Sequence, residues 1–442
     1  MHLRLWLMVP LVLVVLFSPG TETIGEGADA MFGNGSDGAI TFSSNTQFDP
    51  PVDAVVVAGT AGTSTLTVSS VSGLFQPGEK ILIHQTRGSG SGAWELNAVQ
   101  SYAVGNLATS APLANAYLSD AGAGVNKAQV LVVPQYTNVT VNAGISLSAK
   151  PWNGATGGIL AFLASGTVTI TGTIQASGVS SSDPSGGTGA TGGAGFDGGS
   201  NVVQGQATQG EGTGGPRGTA SQVANGNGAG GGAYGSGIQI ASGSGGGNGG
   251  VGGQGYAYFP SLASAPGAAS GTSDLTTMSL GGGGGGGSGS ADGMSYGGGS
   301  GAGMVVIVGT TIAMTGGIAA NGGDNGGAPT ICPNSSKALG GGGGGGSILV
   351  RTQNATLGTG TIIAVGGSGA SRCGDAGSAS GAVGRIRVEY CTSISGGFAD
   401  PPASIAQISC GPTPTPTPPP SVGGIAEQPD VTAVPAAAAS SG

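Results

Sequence analysis

The strongest regularity along this chain has a period of two. Short runs rich in β-branched and aliphatic residues recur at 54–58, 65–70, 80–85, 99–104, 130–133 and 139–147, with Gly, Asn, Pro and Ser between them. In Asn138-Val-Thr-Val-Asn142 apolar and polar residues alternate strictly, which is how a strand with one buried face is written. No stretch holds a period of 3.6, so no amphipathic helix is predicted. In Phe75-Gln-Pro-Gly-Glu-Lys-Ile-Leu-Ile83, Pro77 and Gly78 set a turn ahead of a buried strand. These runs predict an N-terminal β domain over 31–153.

From 154 to 392 the pattern becomes a degenerate repeat of about 20 residues. One copy runs from Ile159 to Gly178, a second from Met304 to Gly322, and a third from Ile348 to Gly367. Each is an apolar strand, a Thr/Gly turn, a second strand of the form Gly-x-Ile-x-Ala, then glycine. Gly384-Arg-Ile-Arg-Val-Glu-Tyr390 reads as a fourth copy that stops early. A single such unit cannot bury its own face, whereas stacked units build a continuous core. The predicted fold is therefore all-β: the N-terminal domain, then a parallel β-helix or solenoid.

Glycine changes this picture. The chain has 442 residues, of which 98 are glycine. More than a third of positions 178–300 are glycine, and 281–287 and 340–346 are unbroken runs. Gly246-Gly-Asn-Gly-Gly-Val-Gly-Gly-Gln-Gly255 has a period of three, the repeat of an extended helix with three residues per turn. Two readings follow: a flexible linker, or polyglycine-II-like strands packed side by side. Tyr234, Tyr256, Tyr258, Phe259, Leu275 and Leu280 favour the ordered one.

The two ends carry other signals. Arg4, an apolar run at 5–17 and the small-x-small sequence Ala28-Asp29-Ala30 read as a secretory signal over 1–30. No later run approaches about 18 apolar residues, so a secreted or cell-surface protein is expected, with no membrane segment after cleavage. Cys332, Cys373, Cys391 and Cys410 all lie in the last quarter. An even count in an exported chain predicts two disulfides, and three pairings are open. Cys332–Cys373 and Cys391–Cys410 are favoured, because each pair brackets one structural unit. Residues 393–411 are read as a disulfide-closed end segment. Residues 412–442, opening on a Pro/Thr repeat, are read as a stiff spacer and tail.

Charge narrows the function. Only 11 Lys+Arg stand against 20 Asp+Glu, for a net charge of -9, which gives no electrostatic footprint for nucleic acid. One histidine, His84, remains after signal removal, so sites built on paired histidines are excluded. No phosphate-cradling motif ends in Gly-Lys-Ser/Thr. Gly192-Gly-Ala-Gly-Phe-Asp197 opens like a calcium-binding nonapeptide, without a tandem copy. Asp183, Asp197, Asp274, Asp292 and Asp324 are scattered through loops, whereas a glycosidase needs two acids facing one substrate. Arg351, Arg385 and Arg387 lie near Glu389 and read as ion pairing. Thr167-Val-Thr-Ile-Thr171 offers one copy of a hydroxyl ladder of the ice-binding kind. No catalytic, cofactor-binding or metal-binding residue is assigned.

Tyr136-Thr-Asn-Val-Thr-Val-Asn142, Trp152-Asn-Gly154 and residues 157–178 resemble the opening rungs of glycine-rich exported bacterial surface proteins. Residues 340–346, followed by Ser347-Ile-Leu-Val350 and Ile362-Ile-Ala-Val-Gly-Gly367, are similar to glycine-rich domains of receptor-type ectodomains. The first resemblance spans about 136–392 and the second about 280–370. Both imply an extracellular structural or adhesive module, and neither brings catalytic residues. The expectation is a non-catalytic protein that meets copies of itself or surface glycans. A polysaccharide-active β-helix enzyme is the alternative, and ice binding a minor one.

Overall fold

The computed structural model describes residues 31–181, 187–233, 240–257, 259–289, 295–325, 330–331, 338–369, 371–372 and 379–410. Its described elements are strands, apart from one 3-10 turn at Pro260–Leu262. No helix among these residues is long and apolar enough to cross a membrane. The secretory signal and the Pro/Thr spacer lie outside the described residues.

A parallel β-helix forms the centre. Ile40, Val139, Val168, Ile312, Ala355 and Ile394 are successive register partners, one from each of six rungs. A second column stacks Leu147, Ile174, Ile318, Ile362 and Ala399. A third stacks Phe162, Ile307, Val350, Val388 and Ile405. Apart from Ile405, which is exposed on the last strand, these side chains point inward and share one core with Phe42 and Phe48. Alternation explains why: residues two apart on a strand share a face, and each repeat supplies an apolar residue at the same phase.

The register corrects two details of the sequence reading. Met304 pairs with Ser347, so the third copy starts one residue before Ile348. The fourth copy does not stop early: the strand Arg385–Asp400 runs the full length of the rung before it.

The parallel sheet also reaches across the expected boundary at 153. Ile40–Phe42, Thr46–Phe48, Val139–Val141 and Ser146–Ala149 belong to it. Between them, residues 53–132 form a separate antiparallel sheet. Its strands run in the order Thr65–Ser69, Asn106–Thr109, Trp94–Ala103, Lys80–Arg87, Lys127–Val132, Asp53–Gly59, and the last pairs back with the first. These six strands thus close into a barrel around Val56, Leu66, Ile81, Ile83, Leu107 and Val130, and a seventh strand of the sheet, Tyr117–Leu118, pairs with Asp53–Gly59.

The glycine runs are ordered as a bundle. The N–H groups of Gly281, Gly284 and Gly287 donate to the carbonyls of Ala302, Gly299 and Tyr296. Those of Gly282, Gly285 and Ser288 donate to Gly247, Ser244 and Ala241, and those of Gly283 and Gly286 to Glu211 and Thr208. One strand therefore addresses three neighbours in rotation, as a helix with three residues per turn requires. The run at 340–346 does the same: Gly341 and Gly344 donate to Gly285 and Gly282, Gly342 and Gly345 to Ala379 and Ala382, Gly343 and Gly346 to Gly323 and Ala320. The segments 296–302, 340–346 and 379–384 lead directly into the rung strands that begin at Met304, Ser347 and Arg385. Those three segments continue the parallel stacking of the rungs, whereas the strand at 281–287 runs antiparallel to its neighbours.

Close approach enforces the composition. A β-carbon on Gly284 would lie 2.1 Å from the Gly341 carbonyl oxygen, and one on Gly285 would lie 1.9 Å from that of Gly230. Backbone on every side leaves such an atom no room.

Cys391 and Cys410 are joined, with Cα atoms 5.8 Å apart. Cys332 and Cys373 lie outside the described residues; the strands Thr330–Ile331 and Ser371–Arg372 just before them pair in parallel.

Two outcomes follow. Gly284→Val is expected to cost more than about 4 kcal/mol, the range of severe core disruption, and hydrogen exchange should then accelerate at 241–247 and 296–302 together. Replacing Cys391 and Cys410 by alanine is expected to cost about 2–4 kcal/mol in chemical denaturation, with little change in exchange at the barrel.

Candidate functional site

A small group of charged side chains meets where the barrel joins the glycine bundle. Arg87 ends the barrel strand Lys80–Arg87, while Asp197 and Glu211 belong to the bundle. Arg87 forms a buried ion pair with Glu211 through Nη1 and Oε1. Its Nε and Nη2 donate to the carbonyls of Val125 and Gly124 at 3.0 and 2.8 Å. Glu211 Oε2 accepts from Trp152 Nε1 at 3.0 Å and from the Asp197 N–H at 3.2 Å. Trp152 meets Phe196 edge to face, with centroids 6.0 Å apart. The Gly192–Asp197 motif is thus spent on a packed aromatic and an acid that faces other side chains.

Burial acts on both carboxyls in the same direction. Burial pushes Asp197 up to about 7, the charge of Glu211 adds to this, and Arg217 at 3.4 Å opposes it. Burial also raises Glu211, against the opposing charge of Arg87. Glu211 is surrounded by donors alone, so a proton there has nowhere to point. Asp197 Oδ1 is buried without a partner among the described residues.

His84 lies in the same joint, fully buried. Its Nε2–H donates to the Met278 carbonyl at 2.9 Å, and Nδ1 accepts from Thr86 Oγ1 at 2.9 Å. Gln129 Nε2 in turn donates to Thr86 Oγ1 at 3.0 Å. Burial lowers His84 to about 4, so the ring is neutral and structural near pH 7.

The other acids stay apart. Asp274 accepts from the Thr276 N–H and hydroxyl within its own turn, and Asp324 accepts from the Ser368 N–H. Glu389 binds Arg351 at 2.6 Å and Arg387 at 3.1 Å, whereas Arg385 turns away to the Ser270 carbonyl. Asp183 and Asp292 lie outside the described residues.

A groove opens instead on the flank of the β-helix. Its volume is 380 Å³, and Thr171, Thr173, Thr315, Gly317, Thr359 and Thr361 are among its lining residues. No charged residue lines it. Thr173, Gly317 and Thr361 are register partners on successive rungs. The sequence reading missed this groove, although Thr171-Gly-Thr173, Thr315-Gly-Gly317 and Thr359-Gly-Thr361 are visible as a repeat once the rungs are aligned. On the adjoining face the hydroxyl ladder is longer than one copy. Thr167 is in register with Thr311 and Asn354, and Thr140 with Thr169.

No family model matches the chain, and no curated protein does. Among solved structures it is similar to the Gp54 tailspike of Acinetobacter baumannii bacteriophage AP22, in complex with A. baumannii capsular saccharide, at 13% identity and a TM-score of 0.17. The match covers 82% of this chain and 58% of the tailspike chain, so the chain spans less than two thirds of that protein. So loose a superposition carries no functional argument; the β-helix assignment rests on the strand register.

The joint should show two opposed pH effects. Asp197 binds its proton more tightly when folded, so its share of stability falls as pH rises from about 4 to about 7. His84 is harder to protonate when folded, so its share is complete above about 6.5 and is lost as pH falls toward 4. Urea denaturation across this range is expected to find Asp197→Asn gaining stability relative to the parent as pH rises past neutrality, because it removes a carboxylate that burial and the charge of Glu211 disfavour more than Arg217 favours it. In His84→Gln the loss of stability on acidification should be smaller than in the parent.

Proposed function

We propose that this is an exported, non-catalytic structural or adhesive protein whose β-helix flank associates with uncharged extracellular glycans. The observation that carries the reading is the groove. It is lined by threonine hydroxyls and glycine, without a carboxylate to cleave a bond or a base to hold an anion. The glycine bundle supports the structural half of the reading, because it supplies a rigid body with few charges.

A polysaccharide-cleaving role has one observation in its favour. Asp197 and Glu211 are neighbouring carboxyls that burial makes harder to ionise, and general acid and base catalysis uses such pairs. Against it, the Glu211 side chain is 3% exposed and already engaged by Arg87 and Trp152, so no sugar reaches both groups.

Incubation with neutral and acidic polysaccharides separates the two readings. The expected result is retention on insoluble neutral glycan with no new reducing ends. Release of reducing ends that disappears in Asp197→Asn would establish the enzyme instead.

A further inference from the structure

Gly317 is a glycine that the backbone does not need. Its φ lies outside the left-handed region, and a β-carbon there would meet only Thr361, at 3.1 Å from the hydroxyl and 3.5 Å from the carbonyl oxygen. Its neighbour Gly316 is the contrast: a β-carbon on it would lie 2.0 Å from the Gly172 carbonyl oxygen. A glycine inside a strand weakens the strand and often marks a place where something else comes close. Here the missing side chain opens a trough along the strand Gly317–Ala319.

The walls and floor of this trough are set by register. Thr173 and Thr361 pair with Gly317 from the two sides, so they stand about 9–10 Å apart across two strand spacings. Ala319 continues the floor, with Ile363 beside it, and Thr171, Thr315 and Thr359 form the rim. A small apolar floor between two hydroxyl walls has the shape and polarity of a sugar ring. The volume of 380 Å³ lies in the range of small-ligand sites.

We propose that the trough over Gly317 seats one neutral sugar ring of an extracellular glycan, resting on the glycan-binding reading above. The C–H face of the ring lies on Gly317 and Ala319, and its hydroxyls exchange hydrogen bonds with Thr173 and Thr361. Other ligand classes fit less well. A uronic acid or phosphate would be desolvated without a cation to pair with. An extended peptide finds no free strand edge, because the backbone of 317–319 is paired on both sides, with 173–175 and 361–363.

Affinity electrophoresis of the full chain tests this, with gels containing soluble glucan, soluble mannan or polygalacturonate. The parent is expected to be retarded by a neutral polymer and not by polygalacturonate. Gly317→Val fills the trough and should weaken retardation by at least about tenfold, while its melting temperature stays at or above that of the parent. Thr173→Val with Thr361→Val tests the walls should the valine at 317 unfold the protein. Thr169→Val, on the adjoining face, should bind like the parent. Undiminished retardation of the Gly317 and the double threonine variants would overturn the trough and leave the glycan reading standing. A parent retarded by no polymer, or by polygalacturonate alone, would overturn the glycan reading itself.

Discussion

Main-chain hydrogen bonding between closely spaced glycine strands is the constraint on which this structure depends. Ordering a residue costs about 1–2 kcal/mol of backbone entropy, and glycine has the most to lose. Where side chains are absent, apolar burial offsets little of that cost. Each net hydrogen bond contributes only about 0.5–1.5 kcal/mol, so a lone glycine strand stays unfolded. The bundle answers by bonding on three sides at once, as Gly281, Gly282 and Gly283 do toward Ala302, Gly247 and Glu211. It also grows out of strands whose order the apolar columns already set. Val305, Ile348 and Ile386 align the rungs, and the glycine segments ahead of them inherit that order.

The same constraint shapes the joint with the barrel. A bundle poor in side chains offers little to grip, and polar contacts at its rim help to fasten the barrel: Glu211 and the Met278 carbonyl on one side, Arg87 and His84 on the other. Apolar contacts from Leu82, Trp152, Phe196 and Leu280 surround this joint. Buried ion pairs contribute little net stability, but separating the partners is costly, which suits a joint that must form in one arrangement. Asp197 carries part of the cost of the arrangement, because burial and the charge of Glu211 make it harder to ionise.

Much of the fold was legible in the residues, because strand alternation and the Gly-x-Ile-x-Ala units are local. Ile174, Ile318 and Ile362 were visible as equivalent positions, and the register makes them a column. What could not be read was non-local. Nothing near Ile40 or Thr46 announces that their partners lie about a hundred positions later, so the barrel looked like part of one N-terminal domain. Glu211 carried no motif, and its role arises only from the approach of Arg87, 124 residues away in sequence. The groove was hidden for a different reason: a threonine and an absent β-carbon gain meaning only beside the rungs above and below.

The insertion of the barrel between the first two rungs has a consequence for the order of folding. The strands Ile40–Phe42 and Thr46–Phe48 precede the other rungs in the chain, yet their partners at 139–149 follow only after the whole barrel. The strand pairings of the barrel all lie within 53–132, while the first rung waits as an unpaired edge. Later rungs are separated by shorter stretches at the C-terminal end and by the long glycine excursion in the middle, between 175 and 304. Contacts this distant slow folding. The β-helix is therefore expected to assemble late, from a chain whose barrel is already complete, and the exposed first rung is the segment that a cell would need to shield in the meantime.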